Sequence, residues 1–312
     1  MIEINRIVVA GLGAIGSAYG SKLHDLKPEA VKFIVNEERK ERYQQLGLRV
    51  NGKNYDFNYI LPEETGDPAD LVLVSVKFHD LSQVIEDIRN HVGTDTIILS
   101  LLNGITSEEI LGEAFGMEKM LYANCVGIDA VREGREIRYS HIGKICFGEK
   151  ENSSLTSRVQ AVKALFEQAG IPYEVPEDMM RALWWKYMLN VGVNQVSAIL
   201  RAPYGVFQKI SGAQELMKMA MEEVFLLSQK EGVRLYREDM EEFFKILNTL
   251  SPEGKTSMLQ DIEAGRKTEV EMLAGAVCDL GRKHGIVTPI NDMLFRMIRI
   301  LEIMNEEKHT GK

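Results

Sequence analysis

Short apolar runs alternate with helical or turn-rich segments through the first half of the chain. The clearest of these runs occupy residues 7–10, 31–35, 71–76 and 96–101. Such alternation is typical of βαβ units and predicts a parallel, doubly wound sheet. A helical pattern is present at 155–169. Weaker apolar runs, separated by glycines as in hairpins or edge strands, lie at 121–126, 136–139 and 144–147, and one last strand is predicted at 173–175.

The second half of the chain has a different pattern, with long segments of helical periodicity. The change near residue 178 predicts two domains, an α/β domain over 1–177 and a mainly helical domain over 178–312. An interface between two domains is a usual place for a small-molecule cleft. The helical segments lie at 179–200, 213–231, 237–247, 267–284 and 289–304.

The first apolar run ends in a glycine pattern, Gly11-x-Gly13-x-x-Gly16, and a helical pattern begins at once. A strand, a tight turn and a helix N-terminus in this order open a dinucleotide-binding fold, in which helix N–H groups bind a pyrophosphate. The alternative is a glycine-rich turn at the start of any α/β domain. The expected phosphate-binding loop consists of Gly11, Leu12, Gly13, Ala14, Ile15 and Gly16.

Polar residues follow three of the predicted strands, where open parallel sheets bind their ligands. Asn36 is neither the carboxylate that holds the ribose hydroxyls of NAD nor the arginine that binds the 2′-phosphate of NADP. Lys77 can meet a carboxylate or a phosphate, although lysines at strand ends are often surface residues. Asn103, which precedes a glycine, either orients a nicotinamide or substrate oxygen or forms an Asn-Gly turn.

One narrow polar stripe crosses the otherwise apolar helical segment between Trp184 and Ser197. Lys186, Asn190 and Asn194 recur at i, i+4 and i+8, which places them on one helix face. Because a buried ammonium without a partner is costly, we expect this stripe to face a wet cleft or a bound ligand. The alternatives are an internal hydrogen-bond network or a lysine that extends to solvent.

A carboxylate in the second half is a candidate partner for this lysine. Glu269 recurs with Leu273 and Val277 at i, i+4 and i+8, so a helix over 267–284 turns Glu269 inward. Otherwise Glu269 is a helix-start residue that the macrodipole favours. Hydride transfer to a ketone leaves charge on the carbonyl oxygen, and a lysine ammonium can stabilise and protonate that oxygen. A carboxylate beside Lys186 helps to hold the required proton.

Composition and charge exclude several classes of protein. The 312 residues carry a formal net charge of −9, which argues against non-specific binding to nucleic acid or to an anionic membrane. No apolar run approaches the roughly 18 residues of a membrane-spanning helix. The three cysteines are scattered and have no paired Cys or His spacing, so we expect a cytoplasmic protein without a metal site.

Five motifs in this order resemble the ketopantoate reductase family between about residue 5 and residue 295. The resemblance implies a Rossmann-type doubly wound parallel sheet domain followed by a mainly α-helical domain, which together enclose the active site. In that family NADPH reduces 2-dehydropantoate to (R)-pantoate for pantothenate and coenzyme A synthesis. The motifs are Gly-Leu-Gly-Ala-Ile-Gly-Ser at 11–17, Val-Lys at 76–77, Leu-Asn-Gly at 102–104, Lys-x3-Asn-x3-Asn at 186–194 and Ser-Met-Leu-Gln-Asp-x3-Gly-Arg-x-Thr-Glu at 257–269.

The resemblance also implies roles for the candidate residues. Lys186 is the expected general acid, and Glu269 is its expected partner and a contact of substrate and cofactor. Asn36 departs from the arginine that is frequent in the family, so NAD stays an alternative to NADP. The expected substrate contacts are Asn103, Asn190, Asn194 and Ser257. The other expected cofactor contacts are the glycine loop, Asn36, Lys77 and Asn103.

Two other functions and one question of assembly stay open. A related nicotinamide-dependent dehydrogenase would act on another 2- or 3-oxo acid, and a non-catalytic dinucleotide-binding sensor or scaffold would share only the glycine loop. A small-molecule oxo acid is the expected partner of a ketopantoate reductase and of a related dehydrogenase. A homodimer is a further alternative, because methionine-rich helix faces such as that of Met217, Met219 and Met221 fit either a core or a dimer surface.

Overall fold

The chain divides into two compact units, Met1–Met180 and Arg181–Lys312. A computed structural model describes residues 2–310, with side chains as far as residue 307. The first unit contains strands and helices, and in the described part of the second unit we find helices and turns. The α/β class of the first half and the helical class of the second half are therefore confirmed.

The first unit is built on an eight-stranded sheet. In chain order the strands of this unit are β1 (Ile7–Ala10), β2 (Val31–Ile34), β3 (Leu48–Val50), β4 (Lys53–Tyr55), β5 (Asn58–Ile60), β6 (Ala69–Val74), β7 (Val92–Ser100), β8 (Met120–Val126), β9 (Val131–Glu133), β10 (Glu136–Arg138), β11 (Lys144–Gly148) and β12 (Tyr173–Glu174). The large sheet has the order β12-β11-β8-β7-β6-β1-β2-β5. Its helices are α1 (Ala14–Leu26), α2 (Glu37–Leu46), α3 (Leu81–Ile88), α4 (Ser107–Phe115) and α5 (Ser157–Gln168).

The central strands of this sheet run parallel, from β5 through β2, β1, β6 and β7 to β8. Strand β1 is buried along its whole length, as expected for a parallel strand covered on both faces. The prediction of an edge strand at 121–126 is wrong, because β8 lies between β11 and β7, whereas its antiparallel pairing with β11 agrees with the hairpin alternative. Strand β8 pairs in parallel with β7, with Ile98 opposite Met120, because α4 provides the crossover that a parallel neighbour needs.

A second, four-stranded sheet has the order β4-β3-β10-β9 and was not predicted as a sheet. Each of its strands has only three residues, too few to show an alternating pattern. Strand β10 pairs in parallel with β3, far from it in the sequence. Leu48 and Ile137 belong to the same hydrophobic core as Tyr19 of α1. This small sheet therefore packs beside the helix that follows the glycine loop.

The second unit consists of helices α6 (Met179–Leu200), α7 (Tyr204–Lys209), α8 (Ser211–Lys230), α9 (Glu238–Leu247), α10 (Ser257–Glu263), α11 (Ala274–His284) and α12 (Pro289–Thr310). The bounds of α6 are those predicted. The single helix predicted over 267–284 is wrong. A short 3-10 helix, Val270–Met272, stands apart from α11, because Leu273 has non-helical dihedral angles, φ −98° and ψ −92°. Helices α7 and α10 are short and were not predicted.

Candidate active site

The glycine loop joins β1 to α1, as the sequence predicts. Gly11 has a φ of +106°, and a Cβ atom there would lie 2.2 Å from the Ser75 carbonyl oxygen. A Cβ atom at Gly16 would lie 2.0 Å from the Gly11 carbonyl oxygen. Gly13 is different, since a Cβ atom there would meet only the Ser75 oxygen at 3.8 Å, an ordinary contact. The protein's own packing therefore requires glycine at 11 and 16 but not at 13.

Gly13 is also the N-cap residue of α1, and neither a side-chain cap nor an acidic residue occupies the first turn. The N–H groups of a helix start without such a cap are suited to an anion, because they point outward with the positive end of the helix dipole. Ala14, Ile15 and Gly16 form that first turn. The loop thus has the local geometry of a phosphate-binding turn.

Arg132, the middle residue of β9 in the small sheet, makes a side-chain contact with the glycine loop. Its guanidinium donates hydrogen bonds to the Leu12 carbonyl oxygen, to the Tyr43 hydroxyl at 3.1 Å and to the Gly134 carbonyl at 2.8 Å. Burial by itself raises the pKa of Tyr43, but the guanidiniums of Arg132 and Arg42 lower it overall. Sequence reasoning missed Arg132, because nothing in a three-residue strand marks a contact 120 residues away.

Asn36 lies at the end of β2, but its side chain has a structural task. Its Oδ1 atom accepts a hydrogen bond from the Arg39 backbone N–H at 3.0 Å, which makes Asn36 the N-cap of α2. Glu37 and Glu38 occupy the first turn of that helix and are exposed. The Arg39 side chain is exposed as well. The side-chain oxygen of Asn36 is therefore already used to cap α2.

Lys77 and Asn103 lie at the same edge of the sheet as the glycine loop. The Ser75 N–H donates to the Ala10 carbonyl at 2.7 Å, and the Leu101 N–H donates to the Val74 carbonyl at 2.8 Å. The carboxyl ends of β1, β6 and β7 are thereby adjacent. Lys77 and Asn103 follow two of these strands and are half-buried. The structure thus places the glycine loop, Lys77 and Asn103 at one edge of the sheet, after β1, β6 and β7.

A buried carboxyl group lies behind the turn that carries Asn103. The Ser107 hydroxyl donates to Glu108 at 2.9 Å and lies 2.7 Å from the Ser100 hydroxyl, which accepts from the Leu102 N–H at 3.4 Å. Burial raises the pKa of Glu108 to about 7. Sequence reasoning missed this network, because a serine and a glutamate at a helix start look like ordinary capping residues.

In the second unit, the predicted polar stripe lies on α6. Of the 22 residues of this helix only Leu200 is exposed. Lys186 and Asn190 are half-buried, and Asn194 is 7% exposed. The helix is thus enclosed nearly all round, as the sequence indicates, and its lysine is placed one helical turn from an amide.

The end of α6 is tied to the start of α10. The Ser197 hydroxyl donates to the Ala202 carbonyl at 2.7 Å and accepts from the Thr256 hydroxyl at 3.1 Å. Thr256 is the N-cap of α10, since its Oγ1 atom accepts from the Leu259 N–H at 3.2 Å. Ser257, a predicted substrate contact, is the first residue of α10 and is exposed. Its position therefore depends on a buried contact made by its neighbour.

Glu269 is 8% exposed, but not for the reason that the sequence pattern suggested. The i, i+4, i+8 argument fails, because no continuous helix joins Glu269 to Leu273 and Val277. Glu269 instead precedes the 3-10 helix in a segment that distant side chains hold. The Tyr187 hydroxyl donates to the Leu273 carbonyl at 2.8 Å, and burial raises the pKa of Tyr187, which keeps it a donor. The pairing of Glu269 with Lys186 stays a prediction.

Sequence comparisons identify the family. The profile described as "Ketopantoate reductase PanE/ApbA" matches residues 7–152, and that described as "Ketopantoate reductase PanE/ApbA C terminal" matches residues 178–302. The 2-dehydropantoate 2-reductase of Aquifex aeolicus (strain VF5) is 26% identical over 312 residues, which cover 97% of this chain and 98% of the relative.

Solved structures agree with this result. The 2-dehydropantoate 2-reductase from Geobacter metallireducens GS-15 is 30% identical, with a TM-score of 0.81 over 94% of this chain and 99% of that chain. The ternary structure of D-mandelate dehydrogenase with NADH and anilino(oxo)acetate has a TM-score of 0.88 over 96% and 99%, at 24% identity, and shows a shared fold. No helix within residues 2–310 has the length and apolarity to cross a membrane. The chain belongs to the ketopantoate reductase family of oxidoreductases.

Proposed function

We propose that this member of the ketopantoate reductase family reduces 2-dehydropantoate to (R)-pantoate with NADPH, in pantothenate and coenzyme A synthesis. The observation that carries the proposal is the half-buried Lys186 on the enclosed helix α6, in the same unit as the buried carboxylate of Glu269. Tyr187, next to Lys186, ties the segment after Glu269 to this helix. A lysine and a carboxylate so placed suit protonation of a substrate oxygen.

The glycine loop fits a nicotinamide dinucleotide. Gly13 is free of any packing reason to be glycine, so the space in front of it suits the close approach of a pyrophosphate. The reduced nicotinamide, when bound, supplies a hydride to the substrate carbonyl carbon. The residues that would hold the dinucleotide are Gly11, Leu12, Gly13, Ala14, Ile15, Gly16, Asn36, Lys77, Asn103 and Glu269.

The residues that follow β2 support NADP rather than NAD as the proposed cofactor. The chain has Asn36 where an NAD enzyme carries the carboxylate that binds both ribose hydroxyls, and its oxygen already caps α2. The exposed Arg39 on the same helix start offers a cation for a 2′-phosphate. The paired measurement of KM for NADPH and NADH tests this preference.

The protein's own residues then perform the acid step. Lys186 donates its proton to the carbonyl oxygen as negative charge develops there, and Glu269 orients the ammonium before transfer. The carboxylate and hydroxyl groups of the oxo acid bind to Asn190, Asn194 and Ser257, and Asn103 is a further proposed substrate contact. All three cysteines are buried, which agrees with the cytoplasmic location that we propose.

The test is a spectrophotometric assay with NADPH and 2-dehydropantoate. We expect turnover that Lys186→Ala lowers by roughly 10²–10⁴-fold, the usual contribution of a general acid. Lys230→Ala, at an exposed position on α8, is the matched control and should leave the rate unchanged. No turnover with either nicotinamide cofactor, or an unaffected Lys186 variant, would contradict the proposal.

A second candidate is a dehydrogenase for another 2- or 3-oxo acid. It is favoured by the fold shared with D-mandelate dehydrogenase and by the exposure of Ser257, a residue proposed to contact substrate. A panel of aliphatic and aromatic oxo acids separates the two, since the better substrate has the higher kcat/KM. Dinucleotide binding by calorimetry without reduction of any oxo acid would instead indicate a sensor.

A homodimer is proposed as the assembly. Helix α12 carries a stripe of exposed apolar side chains at helical spacing, whereas Met217 and Met221 of α8 are buried in the core and Met219 is exposed. Sedimentation should show a dimer that Ile300→Glu dissociates and that Val287→Glu, at an exposed apolar residue outside the stripe, does not. A monomeric wild type would contradict this assembly. The stripe consists of Met293, Met297, Ile300, Ile303 and Met304.

A further inference from the structure

The C-terminal helix α12 places polar side chains inward. Glu302 and Asn305 are 5% and 8% exposed and share the inner face with the apolar Leu294 and Ile298. On the outer face of the same turns, Ile303 is 51% exposed. A buried carboxylate is unfavourable unless hydrogen bonds and a cation compensate for lost hydration. The inward position of Glu302 therefore needs a specific reason.

Glu302 binds the residue directly before Glu269. Its Oε1 atom accepts two hydrogen bonds from Thr268, one from the backbone N–H and one from the hydroxyl, each 2.7 Å long. The Thr268 hydroxyl in turn accepts from the Val270 N–H at 3.3 Å. One carboxylate oxygen thus fixes the backbone on both sides of Glu269.

The second oxygen of Glu302 contacts a cation, Arg299, which balances the charge of the carboxylate. Its Oε2 atom accepts from Arg299 at 2.8 Å, and the same guanidinium nitrogen donates to Glu271 at 3.0 Å. Arg299 therefore connects α12 to the 3-10 helix that follows Glu269. Charge-assisted hydrogen bonds of this kind are stronger and more directional than neutral ones.

Two further contacts hold the start of the same segment. The Asn305 amide donates to the Ile262 carbonyl at 2.9 Å, and Arg266 donates to the buried Asp261 carboxylate at 2.9 Å. Glu269 itself has non-helical dihedral angles, φ −104° and ψ 33°. Its position is therefore set by side chains from α12 and by its immediate neighbours, not by a regular helix.

We propose that Glu302 is a positioning residue for Glu269, and that α12 sets the geometry of the acid step through the Glu302–Thr268 contact. This inference rests on the proposed function, because it assigns a task to Glu269. Glu302 itself is not proposed to contact the substrate. A shift of about 1 Å in a group near the reacting atoms can lower a rate by roughly 100-fold.

The kinetic test compares Glu302→Ala, Glu302→Gln and Thr268→Val with a matched control. The control is Glu223→Gln, because Glu223 is another buried carboxylate that caps backbone N–H groups, those of Ile290 and Asn291 at the start of α12. We expect kcat with the oxo acid to fall roughly 100-fold in Glu302→Ala and about tenfold in Thr268→Val.

Glu302→Gln keeps an acceptor oxygen for Thr268 and should recover most of kcat lost in Glu302→Ala. Glu223→Gln should lower Tm without lowering kcat. If Glu302→Ala and Thr268→Val lose no more kcat than Glu223→Gln does at a similar loss of Tm, Glu302 is only structural and the proposal is wrong.

Hydrogen exchange tests the contact without reference to activity. Amides at 266–272 should exchange faster in Glu302→Ala and Thr268→Val than in wild type, and Glu302→Gln and Glu223→Gln should leave them nearly unchanged. Unchanged exchange in the first two variants would overturn the positioning role whatever the enzyme reduces. Faster exchange in a protein that reduces no oxo acid would instead contradict the proposed function and leave the contact established.

Discussion

The glycine loop in the first unit and the Glu269 segment in the second acquire their shapes in opposite ways. At the loop, Gly11 and Gly16 are required by atoms within the same turn or on the neighbouring strand end. At the Glu269 segment, the backbone is held by Tyr187, more than 80 residues away, and by Glu302, 34 residues away. A short motif specifies the first geometry, whereas the second depends on packing between helices.

The largest expected effect tests whether the geometry of the glycine loop is determined locally. In Gly16→Ala, the new Cβ atom would stand 2.0 Å from the Gly11 carbonyl oxygen, a backbone atom that cannot rotate away. We expect a loss of at least about 3 kcal/mol in the free energy of unfolding, measured by urea denaturation. Gly212→Ala, at a helix start with open space around it, is the control. A stable Gly16→Ala protein would show that the loop is not locally determined.

The next largest effect concerns Glu108 in the first unit, a buried carboxyl group like that of Glu269. Because burial raises the pKa of Glu108 to about 7, the folded state favours its protonated form. This contribution to stability is complete below the ordinary glutamate pKa and is lost as pH rises through about 7. Wild type should therefore lose about 2–3 kcal/mol that Glu108→Gln keeps, as measured by denaturation from acid to mildly alkaline pH. The exposed Glu109→Gln is the control, and parallel profiles for wild type and Glu108→Gln would contradict the argument.

A smaller effect is expected where α6 holds the Glu269 segment. Tyr187→Phe removes the hydrogen bond to the Leu273 carbonyl, which then keeps only its bond from the Val277 N–H, and this loss costs about 0.5–1.5 kcal/mol. Thermal unfolding gives this loss, and steady-state kinetics should show a fall in kcat. Tyr204→Phe, in the neighbouring helix α7, serves for comparison. An unchanged Tm and kcat in Tyr187→Phe would mean that α6 does not hold this segment.

The smallest effect on stability should come with a clear effect on binding. A Cβ atom at Gly13 has only an ordinary contact, so Gly13→Ala should change the free energy of unfolding by less than about 1 kcal/mol, the value of an N-cap change. Dinucleotide affinity should nevertheless fall about tenfold or more, because the methyl group stands where the pyrophosphate approaches. Unchanged affinity in a calorimetric titration would place the cofactor elsewhere.

The sequence predicted those features that depend on neighbours along the chain. The bounds of α6, the half-buried Lys186 on it and the turn after β1 all follow from local periodicity and from glycine geometry. Hydrophobic periodicity is informative here because each long element buries one face or all of its surface. Strand β10 of the small sheet was predicted at 136–139, but its partners β3, β4 and β9 and the helices α7 and α10 lack that length, so local pattern could not reveal them.

Contacts between distant residues escaped prediction for a physical reason. A buried glutamate such as Glu108 or Glu302 has the same local sequence signal as an exposed one, and only its partners distinguish them. The burial of Glu269 was predicted from a helical repeat that does not exist, since Leu273 interrupts the helix. Tertiary hydrogen bonds hold the Glu269 segment in one conformation, although its backbone has no regular secondary structure.

The sequence by itself thus determined the fold class, the glycine turn and the polar face of α6, because backbone sterics and helical spacing act over a few residues. Only the tertiary structure decided that Arg132 holds the Leu12 carbonyl and that Glu302 holds Thr268. A hydrogen bond requires its donor and acceptor within about 3 Å, and chain folding alone brings residues so far apart in sequence to that distance.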